Sequence, residues 1–192
     1  MSFYINFQLI ESQEISLPML WGEVYYNLHL LLTSNKDENN SVPFGISFPD
    51  YGKEDGFVFG NKFRIHADNM KILENVNIRD HFRKFSEYLH ISSIRETPSN
   101  VNTFVSFSRK QFKTNISYLI RRCAERHNIT IDEATKRYND YHPVVNLPYI
   151  LLKSGSNHNK FRLHIEKRES KKENFNGFSL YGLSENSSVP LF

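Results

Sequence analysis

Arg122 and Arg126 stand four residues apart in a stretch, 115–127, whose apolar residues Ile116, Leu119, Ile120 and Cys123 recur at helical spacing. With that stripe turned inward, both guanidinium groups share an exposed face, with Tyr118 a turn earlier and Arg121 beside them. Guanidinium is permanently charged and bidentate, so such a pair suits phosphate oxygens, although an ordinary solvated helix face looks the same. Just upstream, a strand from Phe104 running into Arg109 and Gln111 would point those two side chains the same way, about 7 Å apart. Arginine and glutamine read guanine and adenine edges through paired hydrogen bonds; polar alternation on a wet sheet face is the plain alternative. Ser154-Gly155-Ser156-Asn157 presents hydroxyls and backbone N–H groups suited to a ribose 2′-OH or a phosphate, and it equally suits a hairpin loop. Phe161 fits either a core position or a platform for a stacked base. His29 falls beside the apolar stripe of an N-terminal helix, as a packing residue or as the one side-chain type that exchanges protons near neutrality.

Several chemistries are excluded. No two of the eight histidines sit at i, i+4 on a helix and the acidic residues near them are scattered, so neither a metal nor a cofactor is expected. There is no glycine-rich phosphate loop, paired-carboxylate motif or nucleophile elbow. The single cysteine, Cys123, rules out an internal disulfide and thiolate-cluster zinc sites. No run approaches the roughly 20 apolar residues of a membrane span. The start, Met-Ser-Phe-Tyr-Ile-Asn-Phe-Gln, alternates instead of following a basic segment with an apolar block, so a cytoplasmic chain without a secretory signal is expected. The net charge of +3 conceals an asymmetry. Residues 1–99 carry 9 Lys and Arg against 13 Asp and Glu, a balance of −4, whereas residues 100–192 carry 15 against 8, a balance of +7. A basic half of this kind suggests a polyanionic partner, with an incidental solvated charge run as the alternative.

The elements that must position these groups follow from periodicity. Phe3, Ile5, Phe7 and Leu9 alternate as a strand. From Pro18 to about Thr33, Leu20, Trp21, Val24, Leu28, Leu31 and Leu32 make a helical stripe. Phe44–Phe48 and Lys62–Ala67 read as strands, a helix follows Asp68 and breaks near Asn75–Asn77, and Ile91–Ile94 returns as strand. Strand, helix, strand, strand, helix, strand is the ferredoxin-like order. Thr97-Pro98-Ser99-Asn100 is the expected boundary between domains 1–97 and 98–192. Beyond it Thr114 or Asn115 can cap the arginine helix, and Thr130-Ile131-Asp132-Glu133 fits a capping box opening another helix. Strand-like runs at Tyr149–Lys153, Phe161–Ile165 and Phe178–Leu180 finish the chain, with Lys167–Asn176 expected as a mobile charged loop. The fold class is therefore α+β: a ferredoxin-like N-terminal domain followed by a basic α+β domain.

At these residues the sequence resembles the type I-F (Ypest subtype) CRISPR-associated endoribonuclease family, over essentially the whole chain. The likeness rests on His29, Gly45-Ile46-Ser47-Phe48-Pro49, Arg64-Ile65-His66, Ser108-Arg109-Lys110-Gln111 and Arg121-Arg122 with Arg126-His127. It continues through Ser154-Gly155-Ser156, Phe161-Arg162-Leu163, Tyr181-Gly182-Leu183-Ser184 and Val189-Pro190-Leu191-Phe192.

The resemblance implies a metal-independent nuclease that cuts CRISPR repeat RNA at its hairpin, the ribose 2′-OH attacking the adjacent phosphate to leave a 2′,3′-cyclic phosphate. By the family pattern His29 is the general base or proton shuttle, Ser154 holds the 2′-OH, and Tyr181 orients the histidine. Ser156 contacts the backbone nearby, Phe161 stacks on the closing base pair, Arg109 and Gln111 read base edges, and the 115–127 helix lies in the RNA groove. Arg121, Arg122 and Arg126 then meet phosphates, with Lys110, Lys113 and Lys136 as further cations. The chain departs from the family at Tyr118, Ile120 and Glu125, where a basic residue is familiar, and at Leu191. Implied partners are the repeat hairpin and other effector-complex subunits, the protein being monomeric when alone. A non-catalytic hairpin-binding subunit of a CRISPR or transposon-associated CRISPR complex is the alternative. Because His29 belongs to the acidic half, the active site is expected where the two halves meet.

Overall fold

The computed structural model describes residues 2–112, 116–139, 146–155 and 159–192. β1 (Phe3–Leu9) leads into α1 (Leu17–Ser34), which opens with Pro18 in its first turn, where a missing N–H costs nothing. β2 (Gly45–Ser47) and β3 (Lys62–Ala67) follow. The helical stretch breaks as its sequence indicates, into α2 (Met70–Glu74), α3 (Ile78–His81) and a 3-10 turn at Arg83–Phe85. β4 (Leu89–Ile91) and the short β5 (Arg95–Glu96) return to β1. The strand order is β2-β3-β1-β4 with antiparallel neighbours, which is the split-βαβ, ferredoxin-like arrangement. β4 starts two residues before the expected Ile91–Ile94, because Leu9 pairs with Leu89 and not with a later residue.

Cross-strand pairs Ile5–Ile65 and Phe7–Phe63 place apolar side chains on the face that α1 covers. All six residues of the predicted α1 stripe are buried. Trp21 is ringed by Tyr25, Phe48, Phe57, Phe59 and Phe63, and its indole N–H donates to the Gly60 carbonyl at 2.8 Å, so its one polar atom is satisfied inside the core.

A second sheet has the order β7-β8-β6-β9, from β6 (Phe104–Lys110), β7 (Tyr149–Lys153), β8 (Lys160–Ser170) and β9 (Val189–Pro190). Two expectations are corrected here. Lys167–Ser170 belongs to β8 and not to a loop: Arg168 pairs with Glu166 at 2.8 Å and the Lys167 ammonium lies 5.7 Å from the Tyr51 ring centre. Phe178 makes only an isolated bridge to Val42, so Phe178–Leu180 is not a strand. One apolar cluster takes in residues of both sheets, with Phe107 edge-on to Phe48 at 4.9 Å. Packing accordingly groups Met1–Arg109 with Pro148–Phe192 and does not divide the chain at 97/98; Lys110–Leu147 is the other compact unit.

That second unit contains α4 (Ile116–His127) and α5 (Ile131–Arg137). α4 ends with Asn128 in the left-handed region and a bond from the Ile129 N–H to the Ala124 carbonyl, a Schellman closure. The capping box at α5 forms as its sequence indicates, Thr130 and Glu133 exchanging side-chain-to-backbone bonds. The proposed caps Thr114 and Asn115 lie outside the described residues. Among the described residues no helix is long and apolar enough to cross a membrane.

The face of the first sheet away from α1 holds His66, which is fully buried, with Nε2 2.8 Å from the Ser47 hydroxyl. Burial first, and the nearby Arg64 charge second, push its pKa down from 6.5 to about 3. The unfolded chain therefore binds this proton before the folded one does. The resulting stability is fully present above pH 6.5 and is lost as pH falls from there toward about 3, at up to about 1.4 kcal/mol per pH unit. Thermal melts between pH 7 and 4.5 should show His66→Gln with a flatter decline than the parent. Parallel declines would refute the assignment.

Candidate active site

Tyr26, His29 and Leu30 fall at i, i+3 and i+4 of α1 and so share a helical face. That face forms one wall of a cavity of about 270 Å³ whose other walls are Leu152, Lys153, Ser154, Gly155, Phe161 and Tyr181. His29, Ser154, Phe161 and Tyr181 thus converge, and the cavity is lined from both halves of the sequence.

What holds α1 against β7 is a close approach. A Cβ on Gly22 would lie 2.6 Å from the Leu151 carbonyl oxygen, so only glycine permits this spacing between helix and strand. One turn further along, Tyr26 meets the loop after β7: a Cβ on Gly155 would lie 2.7 Å from the Tyr26 hydroxyl. Ser154 is fixed at the strand end, its N–H donating to the Asn159 carbonyl at 2.8 Å.

Tyr25 and His29, one turn apart, both grip the segment at 180–181. The Tyr25 hydroxyl donates to the Tyr181 carbonyl at 2.9 Å. Complete burial, reinforced by Tyr181, holds the Tyr25 phenol well above its usual pKa, so it remains a donor. His29 Nδ1 lies 2.8 Å from the Leu180 carbonyl oxygen. A carbonyl only accepts, so Nδ1 carries the proton and the neutral ring keeps Nε2 as its acceptor. The Tyr181 ring stacks on the imidazole at 4.4 Å and 10° between planes. The Arg109 guanidinium lies 5.3 Å from the Tyr181 ring centre and 5.8 Å from that of Phe161. A single histidine is thus held in one tautomer and one orientation, beside a serine and a strand-end loop.

The remaining predicted residues divide. β6 stops at Lys110, so the shared-face argument for Arg109 and Gln111 lapses; Gln111 is exposed just beyond the strand. Arg121, Arg122 and Arg126 are exposed on α4, as is Glu125, and Arg122 and Arg126 border a hollow of about 190 Å³ with Leu119, Cys123, His127 and Tyr138. The expected inward stripe of α4, Ile116, Leu119, Ile120 and Cys123, is half-buried, and the buried residue of the helix is Ala124 instead. Lys113 and Ser156 lie outside the described residues. Among the described residues no three His, Cys, Asp or Glu side chains gather as metal ligands. Sequence reasoning missed Tyr25, Tyr26, Lys153 and the Leu180 carbonyl. The helical offsets of Tyr25 and Tyr26 from His29 were the available signal; nothing local marks Leu180.

A family model described as CRISPR-associated protein (Cas_Csy4) matches residues 4–192. The chain is 31% identical over 202 residues to the CRISPR-associated endonuclease Cas6/Csy4 of Pseudomonas aeruginosa (strain UCBPP-PA14), and 28% identical over 196 residues to that of Escherichia coli (strain UTI89 / UPEC). Both matches cover 100% of each chain. Among solved structures it is similar to one titled "An RAMP protein binding different RNA substrates", at 12% identity and a TM-score of 0.38, and to a Cas6 product complex, at 8% and 0.32. Both of these also cover 100% of each chain. With the family model matching all but the first three residues, this chain belongs to the Cas_Csy4 family of CRISPR-associated proteins.

Proposed function

We propose that this chain is an endoribonuclease that processes precursor CRISPR RNA, cutting at the foot of the repeat hairpin by internal transesterification. The observation that carries the reading is the 2.8 Å approach of His29 Nδ1 to the Leu180 carbonyl, which commits Nδ1 as a donor and leaves Nε2 to act as the base. In the proposed step Nε2 takes the proton from the ribose 2′-OH held by Ser154. The 2′-oxygen forms a bond to phosphorus, the bond from phosphorus to the 5′-oxygen breaks, and a proton returns to that oxygen. The products are a 2′,3′-cyclic phosphate and a 5′-hydroxyl. Because the substrate supplies the nucleophile, the reaction requires neither a protein nucleophile nor a metal ion; alignment and a base suffice.

Tyr181 is proposed to orient His29, and Phe161 to stack on the closing base pair, with Arg109 beside it reading a base edge and Gln111 another. Ser156 is assigned to the RNA backbone near the cut. In this reading the basic segment 98–192 supplies the hairpin-binding residues, and α4 enters the widened end of the groove with Arg121, Arg122 and Arg126 on phosphates. Lys110 and Lys113 add charge, and Glu125 subtracts it. The enzyme keeps its product stem-loop and carries it into an effector complex in the cytoplasm.

The test is a repeat stem-loop from the same genome, incubated with the purified chain in excess chelator. Salt-sensitive binding with cleavage is expected; five phosphate contacts would give a log–log slope of roughly −3.5 to −4.5. Binding without cleavage at any metal concentration would leave the non-catalytic hairpin-binding subunit. Cleavage that depends on added magnesium would contradict the metal-free step.

A further inference from the structure

Two polar side chains of the candidate cavity, Tyr26 and Lys153, have no part in the steps above. Tyr26 lines the cavity with His29 and Ser154, and its hydroxyl abuts Gly155, the residue after the serine. Its hydroxyl has no hydrogen-bond partner among the described residues, unlike that of the adjacent Tyr25, which is spent on the Tyr181 carbonyl. The ring is half-buried against the core, which holds the phenol in place at the cavity wall.

Transesterification moves negative charge onto the non-bridging oxygens of the phosphate as the 2′-oxygen adds. In the proposed mechanism His29 is committed to the 2′-proton and Ser154 to the 2′-oxygen. The Tyr25 hydroxyl is occupied by the Tyr181 carbonyl and does not serve the phosphate oxygens, and the Tyr181 ring is assigned to orienting the imidazole. A fixed neutral donor aimed at that charge lowers the barrier, because it needs no reorganisation during the reaction. A phenol carries its proton across the neutral range and is such a donor.

We propose that Tyr26 is a catalytic residue, its hydroxyl donating a hydrogen bond to a non-bridging oxygen of the scissile phosphate. The inference rests on the reading of the chain as a hairpin-cutting ribonuclease. Gly155 belongs to the same device, since its missing side chain leaves room for the phenol tip.

Tyr26→Phe removes one oxygen and keeps the ring, so packing against the core is retained. Single-turnover cleavage of the repeat hairpin, at saturating enzyme, should slow by at least roughly tenfold, with hairpin affinity within twofold. Gly155→Ala, which displaces the hydroxyl and leaves it chemically intact, should slow cleavage in the same direction. A readout that packing alone would not move is sulfur substitution of each non-bridging oxygen at the cut. One diastereomer should be cut more slowly by the parent than the oxygen substrate, and Tyr26→Phe should lose most of that discrimination. Equal rates for Tyr26→Phe and the parent, or an unchanged sulfur effect in the variant, would overturn the proposal. Failure of the parent to cut the hairpin would instead overturn the proposed function itself.

Discussion

His29→Ala is expected to lower single-turnover cleavage of the repeat hairpin by roughly 100-fold to 10,000-fold while leaving hairpin affinity nearly unchanged. Both halves of that outcome follow from position. The imidazole lies at the cavity with Nδ1 tied to Leu180 and a face against Tyr181, so in the proposed step it acts through Nε2 alone. It adds no side chain to the arginine face of α4, which is assigned the phosphate contacts. Removing it also frees the Leu180 carbonyl and one face of Tyr181 in a half-buried site, a change that water can fill. A thermal melt close to that of the parent should therefore accompany the loss of cleavage. A rate within threefold of the parent would end the assignment of His29 as the base. Loss of hairpin binding in a folded variant would mean that the residue serves recognition.

Gly22→Ala tests whether the cavity depends on the spacing between α1 and β7. The added Cβ would lie 2.6 Å from a backbone carbonyl oxygen, which cannot rotate aside as a side chain can. Helix and strand must part, at a cost of about 1–3 kcal/mol in stability. The wall bearing His29 then moves relative to Ser154, and a displacement near 1 Å is worth on the order of 100-fold in rate. Gly155→Ala is the natural comparison for stability. Its Cβ meets the far end of the Tyr26 side chain, which can yield, so its melt should fall less. Undiminished cleavage by a folded Gly22→Ala variant would show that the site tolerates a change in this contact.

How much of this was legible in the sequence depends on whether the cause was local. The α1 stripe, the break at Asn75–Asn77 and the Thr130 capping box are set by neighbouring residues, and the structure has all three. The charge of Lys167–Ser170 hides the end of β8 in the sequence, and the strand nevertheless continues to Ser170. The boundary at Thr97 is a plausible turn in sequence, yet packing runs across it, since Phe107 meets Phe48 and Tyr51. At the site, His29, Ser154, Phe161 and Tyr181 were legible from their motifs, but their convergence was not. It is produced by a glycine contact between residues 22 and 151 and by two α1 side chains gripping the backbone at 180–181, none of them near in sequence. Tyr26 escaped notice for a related reason: an aromatic beside an apolar stripe reads as core until the loop it faces is known.

In the proposed reaction the RNA attacks itself, with the protein supplying a base and alignment. The measurement that tests it most directly is the chemical identity of the new ends, read by mass spectrometry from the repeat hairpin cut in excess chelator. A control RNA carries a single 2′-deoxy substitution at the nucleotide before the cut. The expected result is a 2′,3′-cyclic phosphate on the upstream product, a 5′-hydroxyl on the downstream one, and an intact control RNA that still binds. A 5′-phosphate on the downstream product, or cleavage of the 2′-deoxy RNA, would contradict it.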